Sequence, residues 1–218
     1  MPRRLLAPAG ALAVFLLLTG YPAVQEPAGG ERVRVALREH FDGAFPPPGW
    51  LTVNLNGAPS DGWRVERTDF PSPAAEHEDE HGFPSDNALE TPILDLSDCT
   101  RAYLHFQSLT WFASFQSAHP QAVGDGASTI EVSVDGGATF TEGFWSSAQM
   151  RSGVIENVTV DLSAFAGEQS VVLRFHYRGT FAHNWVIDAV QVDDSPRMPP
   201  PPPRPPALWA RNCDFLYA

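Results

Sequence analysis

Between residues 37 and 194 the chain is cut into short runs in which apolar and polar residues alternate, each closed by Gly, Pro, Asp or Asn. A period of two puts successive side chains on opposite faces of a strand, and no segment carries the 3.6-residue period of a helix. Ile130, Val132 and Val134 alternate with Glu131 and Ser133. Asp135-Gly136-Gly137 follows as a tight-turn signal, and residues 138–146 read as the return strand. Leu173, Phe175 and Tyr177 alternate with Arg174, His176 and Arg178, and Leu104 and Phe106 with His105 and Gln107. Residues 157–162 place Val158, Val160 and Leu162 on one side, and 185–192 reads as a mostly apolar, buried last strand. Roughly nine or ten such strands predict an all-β fold, a two-sheet antiparallel jelly-roll β-sandwich.

The flanks have a different character. Residues 1–23 begin with Arg3 and Arg4, run through an apolar stretch to Leu18 and end in small and turn-forming residues. That order reads as a secretory signal; without a clean small-x-small cleavage site, an uncleaved N-terminal anchor remains the alternative. Residues 24–36 read as a linker, 37–194 as the jelly-roll domain and 195–218 as a Pro-rich tail. Pro199–Pro203 lie within that tail and favour extended polyproline II, which cannot join a sheet. Of the two cysteines, Cys99 lies in the domain and Cys213 in the tail; a single bridge between them is open in an oxidising compartment.

Charge narrows the partners. The formal net charge is −12, and all 14 basic residues are arginine. Such a surface opposes nucleic acid and polybasic membrane contacts, and it is compatible with divalent cations, neutral sugars or simple solubility. No membrane span is expected in the mature chain, and a monomer is expected.

Six motifs appear in a fixed order. They are His40-Phe41-Asp42-Gly43 with Phe45–Trp50, Ser60-Asp61-Gly62-Trp63, and Ser85-Asp86-Asn87 with Thr91–Ser97. Val132–Phe140, Val160–Gly167 with Leu173-Arg174-Phe175, and His183–Asp188 complete the set. In this order they resemble the cleaved-adhesin and choice-of-anchor J domains of secreted bacterial proteins, relatives of the MAM-type jelly roll. The resemblance implies a β-sandwich at the cell exterior with no chemistry of its own. It also implies a structural Ca²⁺, whose matching positions are Asp42, Asp86 and Asp188. Asp188 sits inside an apolar run, where a carboxylate is costly unless it is paired, bound to a metal or accepting backbone N–H groups. Arg174 is a candidate partner for it. The family's second Asp after Ile-Asp is Ala189 here.

Other candidates are weighed on their residues. Glu76-His77-Glu78-Asp79-Glu80-His81 has His-x-x-x-His spacing, but it lies between Pro73 and Pro84 without a helical pattern, so it reads as a solvated acidic loop. Trp111, Phe112 and Trp145 are candidate ligand-binding aromatics; the alternative is that they cap one end of the core. Asn157-Val158-Thr159 is a glycosylation sequon in a predicted strand, expected to be unmodified. No Gly-x-Ser-x-Gly elbow or recognisable nucleophile–base pattern occurs. The chain therefore reads as a secreted or cell-surface adhesion module without catalysis, whose partner is an extracellular protein or a glycan. A carbohydrate-binding accessory domain, a cryptic glycan hydrolase and a purely structural extracellular domain are the alternatives.

Overall fold

The computed structural model describes residues 33–57, 62–67, 70–78, 84–110, 127–180 and 184–198. Eleven strands follow one another: β1 (Val35–Glu39), β2 (Leu51–Asn54), β3 (Trp63–Glu66), β4 (Ala74–His77), β5 (Ser85–Glu90), β6 (Tyr103–Thr110), β7 (Ala127–Ser133), β8 (Thr141–Ser146), β9 (Glu156–Asp161), β10 (Val172–Gly179) and β11 (Trp185–Asp193). They form two antiparallel sheets. One has the order β3-β4-β11-β6-β9, with β1 also paired to β11; the other has the order β2-β5-β10-β7-β8. The β-sandwich expected from the alternating runs is thus the fold.

Inward-facing residues of the two sheets meet in one core. Phe175 on β10 lies 5.4 Å from Phe106, 5.9 Å from Trp185 and 6.3 Å from Trp50, ring centre to ring centre. Leu89, Leu104, Ile130, Leu173, Tyr177, Ile187 and Val192 are fully buried around them.

Strand β11 holds the core face along its length by a bulge. Its register with β6 shifts between Asp188 and Gln191, and Ala189 adopts a left-handed φ of 51°. The extra residue lets Trp185 and Ile187 before it, and Val190 and Val192 after it, all point inward. The first half of β11 pairs with β4 and the second half with β1.

Some details differ from the sequence reading. The Ile130–Val134 alternation stops short: β7 ends at Ser133 and Val134 is exposed. Asp135 explains the stop. Its carboxylate accepts the backbone N–H groups of Ala138 and Thr139 and the Thr139 and Ser133 hydroxyls, so residues 134–140 form a wider turn before β8. Those hydrogen bonds, with Ser133 the first of them, hold the Asp135 carboxyl well below the ordinary carboxylate range. The outer faces are also drier than alternation implies. His105 and His176 are both buried there, His105 between the Thr159 hydroxyl and the Ser195 carbonyl, each 2.9 Å away.

Candidate functional site

At one end of the sandwich the inward-facing residues turn polar. Thr52 and Asn54 on β2 are opposite Leu89 and Asn87 on β5, and Asn87 is opposite Tyr177 on β10, so all share the inner face. From the other sheet, His77 ends β4 and Trp63 begins β3, directly opposite each other. Residues 58–61, 79–83, 111–126 and 181–183 lie outside the described residues.

The two sheets meet here through rings and amides. His77, fully buried, stacks on Tyr177 at 4.0 Å with the planes 17° apart. The Asn87 amide Nδ2 donates to His77 Nε2 at 3.1 Å. Trp63 meets His77 edge-on at 5.9 Å and Trp185 at 5.4 Å. Trp185 donates its indole N–H to the Ser108 hydroxyl at 2.9 Å. The Trp63 indole N–H is buried and has no acceptor among the described residues. A buried donor left unmade costs on the order of 1–3 kcal/mol, so this end of the core is not optimised for packing alone. Between β2 and β3 the sheets part into an opening of about 200 Å³ lined by Thr52, Val53, Asn54, Gly62, Trp63 and Asn87. None of these six side chains is ionisable.

A second polar array covers the outer face of the five-stranded sheet. Arg174 donates from Nε and Nη2 to Glu90 Oε1, at 2.9 and 2.7 Å, and from Nη1 to Glu131 Oε2 at 3.4 Å. Its guanidinium lies 3.5 Å from the centre of the Phe140 ring. His176 is clamped between Glu131 Oε1, 2.5 Å from Nδ1, and Asp86 Oδ1, 2.6 Å from Nε2. Burial alone pushes the His176 pKa down, but the two hydrogen bonds and the two carboxylate charges outweigh it and hold the imidazole above its ordinary value. Glu131 is shifted the other way: burial raises its pKa, and the hydrogen bond from His176 with the charges of His176 and Arg174 brings it below the ordinary value. Both shifts describe one ion pair.

The residues singled out in the sequence are distributed as follows. Asp188, 3 % exposed, accepts the Ser72 hydroxyl at 2.6 Å and the Ala189 N–H at 2.6 Å. Arg174 is committed to Glu90 and Glu131, so it is not the partner of Asp188. Burial raises the Asp188 pKa and nearby Asp42 adds to it, against the two hydrogen bonds and the His40 charge. Phe41, next to Asp42, has φ of 54°, so left-handed backbone occurs beside both carboxylates. Asp86 does not join them: it sits on β5 in the other sheet, bound to His176. Among the described residues no group of three His, Cys, Asp or Glu is disposed to hold a metal ion. Asp42, Asp188 and the Ser72 hydroxyl are hard oxygen donors of the kind Ca²⁺ takes, and backbone carbonyls and water must complete its usual six to eight ligands.

Glu76 and His77 do not lie in a solvated loop. Both are buried in β4, because Arg64 on β3 neutralises Glu76 and Glu78 while Tyr177 and Trp63 cover the imidazole. His81 lies outside the described residues, so the spacing to it is not placed. Trp145 is half-buried, stacked on Trp185 at 5.7 Å and edge-on to Phe106 at 5.3 Å. Trp111 and Phe112 lie outside the described residues. The sequence reading missed the inner-face set Thr52, Asn54, Asn87 and Trp63. Of these only Asn87 carried a signal, a polar residue in step with the buried Leu89 of its own strand, whereas Thr52 and Asn54 are exposed and follow the ordinary alternation.

No family model and no curated protein matches the chain. Solved structures do share its fold. The K1 cleaved adhesin domain of Lys-gingipain from Porphyromonas gingivalis W83 matches with a TM-score of 0.55 at 22% identity, over 72% of this chain and 96% of that domain. The K3 cleaved adhesin domain of the same protein matches at 0.54 and 19%, over 74% and 99%. Its K2 domain matches at 0.51 and 17%, over 72% and 96%.

Proposed function

We propose that this chain is an exported, adhesion-type binding module that holds its ligand without transforming it. The observation that carries the reading is the polar opening between β2 and β3, lined by Thr52, Asn54 and Asn87 among others. The six lining residues supply hydrogen-bonding groups but no ionisable side chain, and the buried His77 beside them stacks on Tyr177 and accepts from the Asn87 amide. The likeness of fold to three cleaved adhesin domains over nearly their whole length supports the same reading, together with the export-type N-terminus and the acidic surface. An array of extracellular-matrix proteins and neutral glycans, probed with the purified chain and followed by mass spectrometry of the bound ligand, tests it. Saturable binding with the ligand unchanged is expected; binding to no array member, or a ligand altered in mass, refutes it.

A structural Ca²⁺ held by Asp42 and Asp188 is the second part of the proposal. The specific observation is the pair of carboxylates, one deeply buried, whose mutual repulsion a divalent cation would offset. Melting with chelator and with added Ca²⁺ tests it. The expected rise of several degrees is what a ligand specific for the folded state produces.

A further inference from the structure

A strand at the edge of a sheet offers a row of backbone donors and acceptors, and edges are ordinarily blunted by short length, bulges, proline or basic side chains. Most edges of this sandwich are blunted in one of those ways. β2 and β3 are four residues long. β1 and β8 break register with their neighbours. β9 is the exception. It runs for six residues in unbroken register with β6 and carries no proline, lysine or arginine. Its other side has no strand among those described. Its two charges stand at its ends, and Glu156 is already bound by Arg151 at 2.9 Å.

Register fixes what that edge presents. The Leu162 N–H donates to the Ala102 carbonyl at 2.8 Å. Bonded pairs recur at every second residue of an antiparallel ladder, so Val160 and Val158 turn their backbone groups to β6. Asn157, Thr159 and Asp161 turn theirs to the open edge, and all three residues are exposed. This row is complementary to itself. A two-fold axis at Thr159 sets Thr159 opposite its own copy and Asn157 opposite Asp161. Asn157 Oδ1 accepts from Gln107 Nε2 at 3.3 Å, which leaves Nδ2 to donate across the edge. Asp161 Oδ1 accepts the Ser163 N–H at 2.8 Å, which leaves Oδ2 to receive it. On the inner face Val158 meets Val160, and no like charges stand opposite each other.

We propose that β9 is a self-association edge: two copies of this chain pair antiparallel through β9 about a two-fold axis at Thr159, joining their six-stranded sheets into one. The occupant is a second copy because the one strand supplies both halves of the Asn157–Asp161 pair, as an isologous interface requires. Such a pair replaces the monomer expected from the sequence, and it does not depend on the binding-module reading. β8, the edge of the other sheet, touches β9. Phe144 on β8 is half-buried and Ile155, just before β9, is exposed, so both add apolar area beside the paired backbones. The contact is small, and a weak, concentration-dependent dimer follows.

Sedimentation velocity of the full chain, from about 1 µM to about 1 mM, tests this directly. The average mass is expected to rise with concentration towards that of a dimer. Asn157→Asp keeps the acceptor for Gln107 but sets a carboxylate opposite Asp161 at both ends of the pair. It is expected to weaken association about tenfold, the effect of two cross-strand pairs turned unfavourable. Adding Asp161→Asn, which keeps the acceptor for the Ser163 N–H, exchanges the two groups and is expected to restore the dimer. Register is read by Thr159→Cys in a Cys99→Ser/Cys213→Ser background. Bonded pairs across antiparallel strands hold their Cα atoms about 5.5 Å apart, within disulfide reach. With oxidised glutathione this variant is expected to form a covalent dimer, while Ala138→Cys, exposed but off the edge, is expected not to. Should Thr159→Cys disturb the fold, the sedimentation comparison alone decides. A wild type that stays monomeric over the whole range overturns the proposal. So does a dimer unaffected by Asn157→Asp, or cross-linking at residue 138 as fast as at 159.

Discussion

Replacing His176 by Leu removes the cation that Glu131 depends on. Glu131 is 2 % exposed, and after the change its remaining charged contact is Arg174 Nη1 at 3.4 Å. Removing one partner of a buried ion pair costs on the order of 3–5 kcal/mol. The lower end applies, about 3 kcal/mol, because Arg174 stays and because Asp86, a third exposed, turns to water at little cost. For a domain of this size that corresponds to a fall in Tm of roughly 6–12 °C. The cost depends on pH with a definite sign. The folded pKa of His176 lies above its ordinary 6.5, so its contribution is complete below 6.5 and is lost as pH rises through the folded value. Glu131 lies below its ordinary 4.5, so its contribution is complete above 4.5 and is lost as pH falls through the folded value. Between those two ordinary values the pair contributes fully. Urea unfolding of the wild type and the variant at about pH 5.5 and about pH 9 reads this out. The double variant His176→Leu/Glu131→Leu is expected to recover most of the loss, since apolar pairs replace buried ion pairs at little net cost. A single-variant cost below about 0.5 kcal/mol at the lower pH refutes the reasoning, as does an equal cost at both.

Other expectations are simpler. Phe175→Ala empties the centre of the core and is expected to cost about 3–5 kcal/mol by urea denaturation; a cost under about 1 kcal/mol contradicts the packing described. Asp188→Asn keeps an acceptor for the Ala189 N–H but removes a buried charge. With chelator present it is expected to melt no lower than the wild type near neutral pH, and it is expected to abolish any Ca²⁺-dependent rise; a rise that persists rules out Asp188 as a ligand. Asp135 is expected to stay ionised well below the ordinary carboxylate range in a carbon-detected titration, and an ordinary value contradicts the turn.

Much of the fold was legible because alternation is a local signal. Leu173, Phe175 and Tyr177, or Val158 and Val160, announce a buried face without any knowledge of their partners. The opposite faces were not legible in the same way. His176 and Glu131 look like ordinary outward polar residues, and only strand register brings the imidazole between Glu131 and Asp86. β4 was hidden because Ala74-Ala75-Glu76-His77 reads as half of an acidic loop; its burial depends on Arg64 and Tyr177, which are remote in sequence. The three aspartates illustrate the same limit. Motif order groups them, while the sheet order assigns Asp86 to one layer and Asp188 to the other. The opening was less legible: Asn87 is polar and buried on the inner face, which is visible only once β5 and β10 are in register.

The most direct test of the account is the array measurement coupled to mass spectrometry of the bound ligand, made with the wild type and Thr52→Val in parallel. The account predicts saturable binding to at least one array member, weakened in the variant, with every ligand recovered at its original mass. Ligand recovered cleaved or otherwise altered, or no binding by the wild type at all, contradicts it.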